Sequence, residues 1–132
     1  MKIVSTIARY LAGATFVVFG LNGFLNFIHF PPPEGVAAQF MGALFVSHFL
    51  AVIMAVQVIA GLLLLINRFV PLALAILAPV LFNILCFHAF MAPSGLPLAL
   101  FVTVLWALTL VPVRSAFAPL FQAKTKGQSN AI

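Results

Sequence analysis

The chain has 132 residues, of which 65% are hydrophobic and only 5% are charged, and its mean hydropathy is +1.29. A soluble domain carries charges on about a quarter of its residues, so this composition excludes a water-soluble domain and predicts a protein whose surface lies in lipid. The formal net charge of +5 comes without a basic cluster interleaved with aromatic residues, which argues against binding to nucleic acid.

Four apolar segments are long enough to cross a bilayer, which takes about 20 helical residues. We predict helices near residues 8–28, 44–66, 69–90 and 95–113. The first segment follows a basic start, as a signal peptide does, but it is long and no small-residue cleavage site follows it. We therefore predict a membrane span there as well, and an all-α integral membrane protein.

The connections between these segments predict how they are arranged. The second and third segments are separated only by Asn67 and Arg68, and "APSG" at residues 92–95 separates the third from the fourth. Because short loops join antiparallel neighbours, residues 1–120 are predicted to form one transmembrane four-helix bundle running up-down-up-down. Residues 121–132 are polar, and we expect a poorly ordered cytoplasmic tail there.

A rigid, extended exit is predicted at "PPPEG", residues 31–35, after the first span. The following residues have a helical pattern, but one helix from there to Ile66 would be too long for a bilayer. We predict a short interfacial helix near residues 35–42 that bends into the second span.

The basic residues predict the orientation in the membrane. If the N-terminus is cytoplasmic, all six lie on the cytoplasmic side, and they are Lys2, Arg9, Arg68, Arg114, Lys124 and Lys126. The positive-inside rule therefore favours cytoplasmic N- and C-termini in a bacterial inner membrane.

The first span carries polar residues at a helical spacing. Asn22, Asn26 and His29 are related as i, i+4 and i+7, which predicts that they lie on one narrow face of the first helix. Gly13 and Gly20 would lie on roughly the opposite face, where another helix can approach closely.

Further polar residues fall in the other spans. Gln57 is near the middle of the second span, and Asn83 follows Pro79 by one turn in the outer half of the third. The proline leaves the carbonyl of Ala75 without its helical donor. Two histidines, His48 and His88, fall near the outer membrane face. Most of the polar groups are therefore predicted to lie in the outer half of the bundle.

These polar groups have two interpretations. They are either hydrogen-bonding contacts between helices, or a small ligand-binding site that opens to the periplasm. The candidate site consists of Asn22, Asn26, Gln57, Asn83 and His88, with His29 and His48 as additional polar groups.

Several kinds of chemistry are disfavoured by what the sequence lacks. We predict no metal site, because no two histidines are spaced i, i+4 and no carboxylate lies near one to orient it. A single cysteine, Cys86, excludes an intrachain disulfide and a two-cysteine redox centre. No charged residue lies in a predicted membrane core, which argues against a proton-coupled transporter or an ion channel. We predict no catalytic residue.

Two segments resemble the DoxX-like family of small bacterial membrane proteins: "ARYLAGATFVVFGLNGFLNF" and "VQVIAGLLLLINRFVPLALAILAPVLFNILCFHAFMAPSGLPLAL". The resemblance rests on an ordered set of residues, namely Asn22 in FGLNGF, Gly61 before a leucine run, Arg68, Pro79, Asn83 and His88. It implies a four-helix membrane bundle and an association with membrane redox systems, since the family is named for a subunit of a thiosulfate:quinone oxidoreductase. Relatives often carry Glu at the position of Gln57, where an amide can donate and accept hydrogen bonds but cannot take up a proton.

Two hypotheses for function follow. The first is a quinone-associated subunit of a membrane redox system, which relies on a membrane oxidoreductase partner for electron transfer because this chain has no cofactor-ligand set of its own. The second is a scaffold or assembly factor for a larger membrane protein complex, whose polar residues are purely structural and whose Gly13 and Gly20 face receives the partner. Neither makes the chain a self-sufficient enzyme, and homo-oligomerisation stays open.

Overall fold

The computed structural model describes residues 1–129, and all regular structure in that range is helical. The helices are α1 (Lys2–Leu25), α2 (Gly35–Val46), α3 (Phe49–Leu65), α4 (Val70–Phe90), α5 (Leu96–Leu110) and the short α6 (Lys126–Ser129). Two 3₁₀ helices flank α5, at Pro93–Gly95 and Val111–Phe121. The end of the predicted disordered tail, residues 130–132, lies outside the described residues.

Three helical segments are long and apolar enough to cross a membrane by themselves, namely α1, α4 and the segment Pro93–Phe121. The helices α2 and α3 pass the same test only as a pair, and the pair is bent by 83°. Residues 1–129 therefore contain three membrane-length segments, or four if the bent pair is one span. This confirms an apolar, all-helical protein compatible with several passes through a membrane.

The first helix differs from its prediction at both ends. It begins at Lys2 rather than near residue 8, and it ends at Leu25 rather than near residue 28. It ends there because Asn26 adopts a left-handed backbone conformation with φ of 49°, and its N–H donates to the carbonyl of Asn22. Asparagine is one of the few residues that tolerate this conformation at a helix end.

The bend between α2 and α3 lies at Ser47 and His48, where His48 has a φ of 63°. The predicted short helix after the prolines is confirmed, but it continues to Val46, and the second span begins at Phe49 rather than near residue 44. No glycine or proline marks the bend, so the sequence pattern through it remains that of a continuous helix.

Helices α1 and α3 pack against each other in antiparallel directions, at very close range. A Cβ atom added to Gly61 would lie 2.9 Å from the carbonyl oxygen of Gly13, and one added to Gly20 would lie 3.0 Å from the carbonyl oxygen of Met54. The predicted close approach of a helix to Gly13 and Gly20 is thereby confirmed. The approaching helix belongs to the same chain, so this face is not free to receive a partner protein.

Helices α4 and α5 pair through an indole. The Nε1–H of Trp106 donates to the carbonyl of Leu74 at 3.0 Å. The bounds of α4 agree with the prediction, and α4 continues through Pro79 without a break. Helix α5 ends at Leu110, but a 3₁₀ helix carries the segment on to Phe121, past the predicted end near residue 113.

The core between the helices is aliphatic. Its fully enclosed large side chains include Leu64, Leu74 and Leu77, with Phe16 of α1 packed in the same cluster. At one end of this core the guanidinium of Arg9 donates to the carbonyl of Leu64. Arg9 therefore joins the start of α1 to the last turn of α3.

Candidate functional site

The C-terminal end of α1 is held by Asn22. Its Oδ1 accepts the N–H of Ile28 at 2.7 Å, and its Nδ2 donates to the carbonyl of Ile28 at 3.2 Å. The amide thus substitutes for backbone partners that the chain loses when the helix ends at Leu25. The prediction that Asn22, Asn26 and His29 share one helix face is wrong, because only Asn22 belongs to the helix; Asn26 and His29 are exposed in the segment that follows.

Replacing Asn22 by alanine is expected to lower the free energy of unfolding by about 1 kcal/mol, because two backbone groups of Ile28 lose their partner. Thermal unfolding in detergent micelles would measure the change. Asn26→Gly is the matched control, since glycine adopts the same left-handed conformation without strain, and it should leave the melting temperature nearly unchanged. Equal effects of both substitutions would contradict the role given to the Asn22 amide.

A groove lies between the end of α1 and the bend that joins α2 to α3. Its volume is about 280 Å³, and it is lined by Gly23, Phe24, Phe45, Val46, His48, Leu50 and Ala51. All lining side chains are apolar except that of His48. Within residues 1–129, no group forms a hydrogen bond with the imidazole of His48, so both ring nitrogens are free to bind a ligand.

His88 has a different setting, at the turn between α4 and α5. Its Nδ1 lies 3.0 Å from the carbonyl oxygen of Ala92, and its ring forms a T-shaped pair with that of Phe87 at a centroid distance of 5.1 Å. Its ring also occupies the space where Gly95 would carry a Cβ atom. His88 therefore binds its own loop, and this contact uses one of its two nitrogens.

Gln57 and Asn83 have opposite settings. Gln57 is the middle residue of α3 and is only 4% exposed, yet no hydrogen bond joins its side chain to another group in the described part of the chain. No fully enclosed side-chain polar atom among the described residues lacks a partner, so the Gln57 amide keeps a narrow contact with the surface. Asn83 is exposed on α4, and its Nδ2 donates to the carbonyl of Pro79 at 2.8 Å.

The structure therefore distributes the predicted site residues over separate places. No hydrogen bond joins two of their side chains anywhere in residues 1–129. Of these residues only His48 lines the groove beside α1, while Gln57 lies about two and a half turns further along α3. Ligand binding by the five residues Asn22, Asn26, Gln57, Asn83 and His88 stays a prediction.

Sequence reasoning missed two polar side chains that join helices. The positive-inside rule treats Arg9 only as a charge, although its guanidinium donates to the carbonyl of Leu64 and stacks on Tyr10 with its central carbon 4.4 Å from the ring centroid. Trp106 was not singled out, although an indole N–H inside an apolar helix needs an acceptor. That need was the available signal, but it does not identify the acceptor.

No three side chains of His, Cys, Asp or Glu lie close enough together to hold a metal ion in the part of the chain that is described. Comparisons of the chain with protein-family models, with curated proteins and with solved structures found no match.

Proposed function

We propose that the chain is a DoxX-like, multi-pass protein of the bacterial cytoplasmic membrane. In this proposal α1, the bent pair α2–α3, α4 and α5 form a four-helix bundle running up-down-up-down, with both termini in the cytoplasm. The distribution of basic residues supports this orientation. Lys2, Arg9, Arg68 and Arg114 belong to the start of α1, the turn between α3 and α4, and the segment after α5, and positive charge is retained on the cytoplasmic side.

The proposed activity is that of a quinone-associated, non-catalytic subunit of a membrane redox system. The observation that carries this proposal is the apolar groove with one free imidazole, His48, and two aromatic side chains, Phe24 and Phe45. A quinone has a flat apolar ring and two carbonyl acceptors. Aromatic side chains offer such a ring a packing surface, and a single polar group orients it. The groove opens at the end of the bundle that faces the periplasm in the proposed orientation.

A membrane oxidoreductase partner would carry out the electron transfer. The groove holds no carboxylate, and the amide of Gln57 cannot take up a proton. In the proposal this chain binds and orients the quinone, and the partner supplies the electrons.

The test is mass spectrometry of the protein extracted gently in native lipid particles. We expect a stoichiometric quinone with the wild-type protein and an occupancy about tenfold lower in His48→Gly, the change produced by losing one good hydrogen bond in an apolar site. Glycine suits the φ of 63° at this position, so the fold should survive. His29→Ala is the matched control, because His29 is exposed outside the groove.

A quinone retained fully by His48→Gly would contradict the proposal. If the wild-type protein is purified without quinone, the extract is saturated with a short-tailed quinone, which separates a site that binds none from one emptied during purification. A thermal shift in the wild-type protein but not in His48→Gly would then support the proposal, and the absence of a shift in the wild-type protein would contradict it.

A scaffold or assembly factor is the second candidate function. One observation favours it: the side chains of Asn22, Asn83 and His88 bond to backbone carbonyls or amides of their own chain, as purely structural polar groups do. The same mass spectra test it. A stoichiometric protein partner without any bound quinone would support the scaffold and count against the quinone site.

A further inference from the structure

Asn83 is a polar residue on the outward face of a membrane-length helix. Helix α4 comprises Val70–Phe90, so Asn83 lies three residues beyond the middle of the helix, which is about 4.5 Å at 1.5 Å per residue. Its neighbour Phe82 is 67% exposed. When α4 spans a bilayer, this amide therefore lies deep in hydrocarbon, where no water is available to it.

The amide is only partly satisfied. One Nδ2 hydrogen bonds to the carbonyl of Pro79, which leaves one Nδ2 hydrogen and the Oδ1 acceptor free. No donor among residues 1–129 reaches that oxygen. A free donor and a free acceptor in lipid favour a polar partner from outside the chain.

The surroundings of Asn83 on α4 suit a close helix contact. A line of residues at intervals of three or four runs along this outward face and is here called the α4 stripe: Leu72, Ala75, Pro79, Asn83, Cys86 and Phe90. Five of the six are exposed, and Cys86 is partly exposed. The stripe carries no charge, and Ala75 and Pro79 present little side-chain bulk one and two turns from Asn83, which lets a second helix come near.

We propose that the α4 stripe is the contact between two copies of this chain, and that the Asn83 amides of the two copies hydrogen-bond to each other. Two copies inserted in the same direction are related by a two-fold axis along the membrane normal, which places both Asn83 residues at one depth. Each free Nδ2 hydrogen then donates to the Oδ1 of the other copy. Both amides keep their bond to their own Pro79.

A second copy suits this surface because the asparagine amide complements itself. The free Nδ2 hydrogen and the free Oδ1 of one Asn83 match the free Oδ1 and the free Nδ2 hydrogen of the other. The α4 stripe carries no charged residue that would favour an oppositely charged partner. The groove at His48 contains no residue of α4, so dimerisation and quinone binding are separate properties that fail separately.

Cys86 supplies a native reporter. It lies one turn from Asn83 on the α4 stripe and is the only cysteine in the chain. In reconstituted lipid vesicles at low protein density, a short bismaleimide should join two wild-type chains through Cys86. In the same assay a Cys86→Ala/Val104→Cys chain should remain uncrosslinked, because Val104 is 54% exposed on α5 and lies outside the stripe.

The strength of the contact is measured by energy transfer between labelled chains as lipid dilutes them. Asn83→Leu should weaken the dimer about tenfold, which is the effect of about 1.4 kcal/mol on an equilibrium constant. Thr15→Val is the matched control, since the single hydroxyl hydrogen of Thr15 already bonds to the carbonyl of Leu11; its affinity should equal that of the wild type.

Three results in these vesicle assays would overturn the proposal: wild-type chains that stay monomeric at every density, crosslinking of Val104→Cys equal to that of Cys86, or an Asn83→Leu dimer as tight as the wild type. Should Asn83→Leu fail to fold, the comparison of Cys86 with Val104→Cys decides the matter without it. Association only with a different membrane protein would also overturn the proposal.

Discussion

Gly61→Leu is expected to lower the free energy of unfolding by about 3 kcal/mol, the upper part of the usual range for overpacking a tight contact. A Cβ atom at residue 61 would lie 2.9 Å from the carbonyl oxygen of Gly13 and 3.0 Å from the backbone nitrogen of Val17. Both obstacles are backbone atoms, which cannot rotate away as a side chain can. Helices α1 and α3 would have to separate, and the bond from Arg9 to Leu64 would be strained as they did so.

Unfolding in mixed micelles of increasing sodium dodecyl sulfate would measure this loss. Gly42→Leu is the matched control, because a Cβ atom at Gly42 would meet nothing within 4 Å. Leucine also has a higher helix propensity than glycine, by just under ~1 kcal/mol. Gly42→Leu should therefore be neutral or stabilising. A Gly61→Leu protein as stable as the wild type would contradict the close packing of α1 on α3.

Gln57→Leu is expected to stabilise the protein, in contrast to Gly61→Leu, and to raise the free energy of unfolding by about 2 kcal/mol. Placing an amide in an apolar environment without a partner costs about 1–3 kcal/mol in proteins. Gln57 is 4% exposed in the middle of α3, has no bonded partner among the described residues, and its narrow surface contact faces hydrocarbon when α3 spans a bilayer. Leucine has a similar volume and no polar group, so it removes the cost without leaving a cavity.

The same unfolding experiment provides the comparison. Thr109→Val is the matched control, because the hydroxyl that it removes already donates a hydrogen bond to the carbonyl of Leu105 at 2.7 Å. The free energy of unfolding should therefore change little. A protein destabilised by Gln57→Leu would mean that the amide has a partner in the membrane, either a bound molecule or a second chain. That result would move the ligand site from the groove at His48 to the middle of α3.

Much of the fold could be predicted because its signals are local. Membrane spans follow from hydropathy and length alone, and the bounds of α4 agreed within a residue since Asn67 and Arg68 interrupt the apolar run before it. The close approach at Gly13 and Gly20 could also be predicted, because only small residues permit backbones to meet. Which helix approaches could not be derived from spacing within α1.

The site was harder to predict, since hydrogen bonds at helix ends depend on single residues. Extending α1 by four residues would place Asn26 and His29 on a helical face, whereas ending it at Leu25 turns the chain away and leaves them exposed. Each residue of error rotates a side chain by about 100° around a helix. A face derived from helical spacing therefore exists only as far as the helix itself continues.

The sequence by itself determined that this protein is helical and apolar enough for lipid, and it determined which few polar residues have to be accommodated there. Both are properties of composition and of apolar runs about 20 residues long. Only the tertiary structure decided which polar groups are already satisfied: Asn22 by Ile28, His88 by Ala92, and Asn83 in part by Pro79. A hydrogen bond requires two groups within about 3 Å in the right direction, and only the folded chain brings the two together.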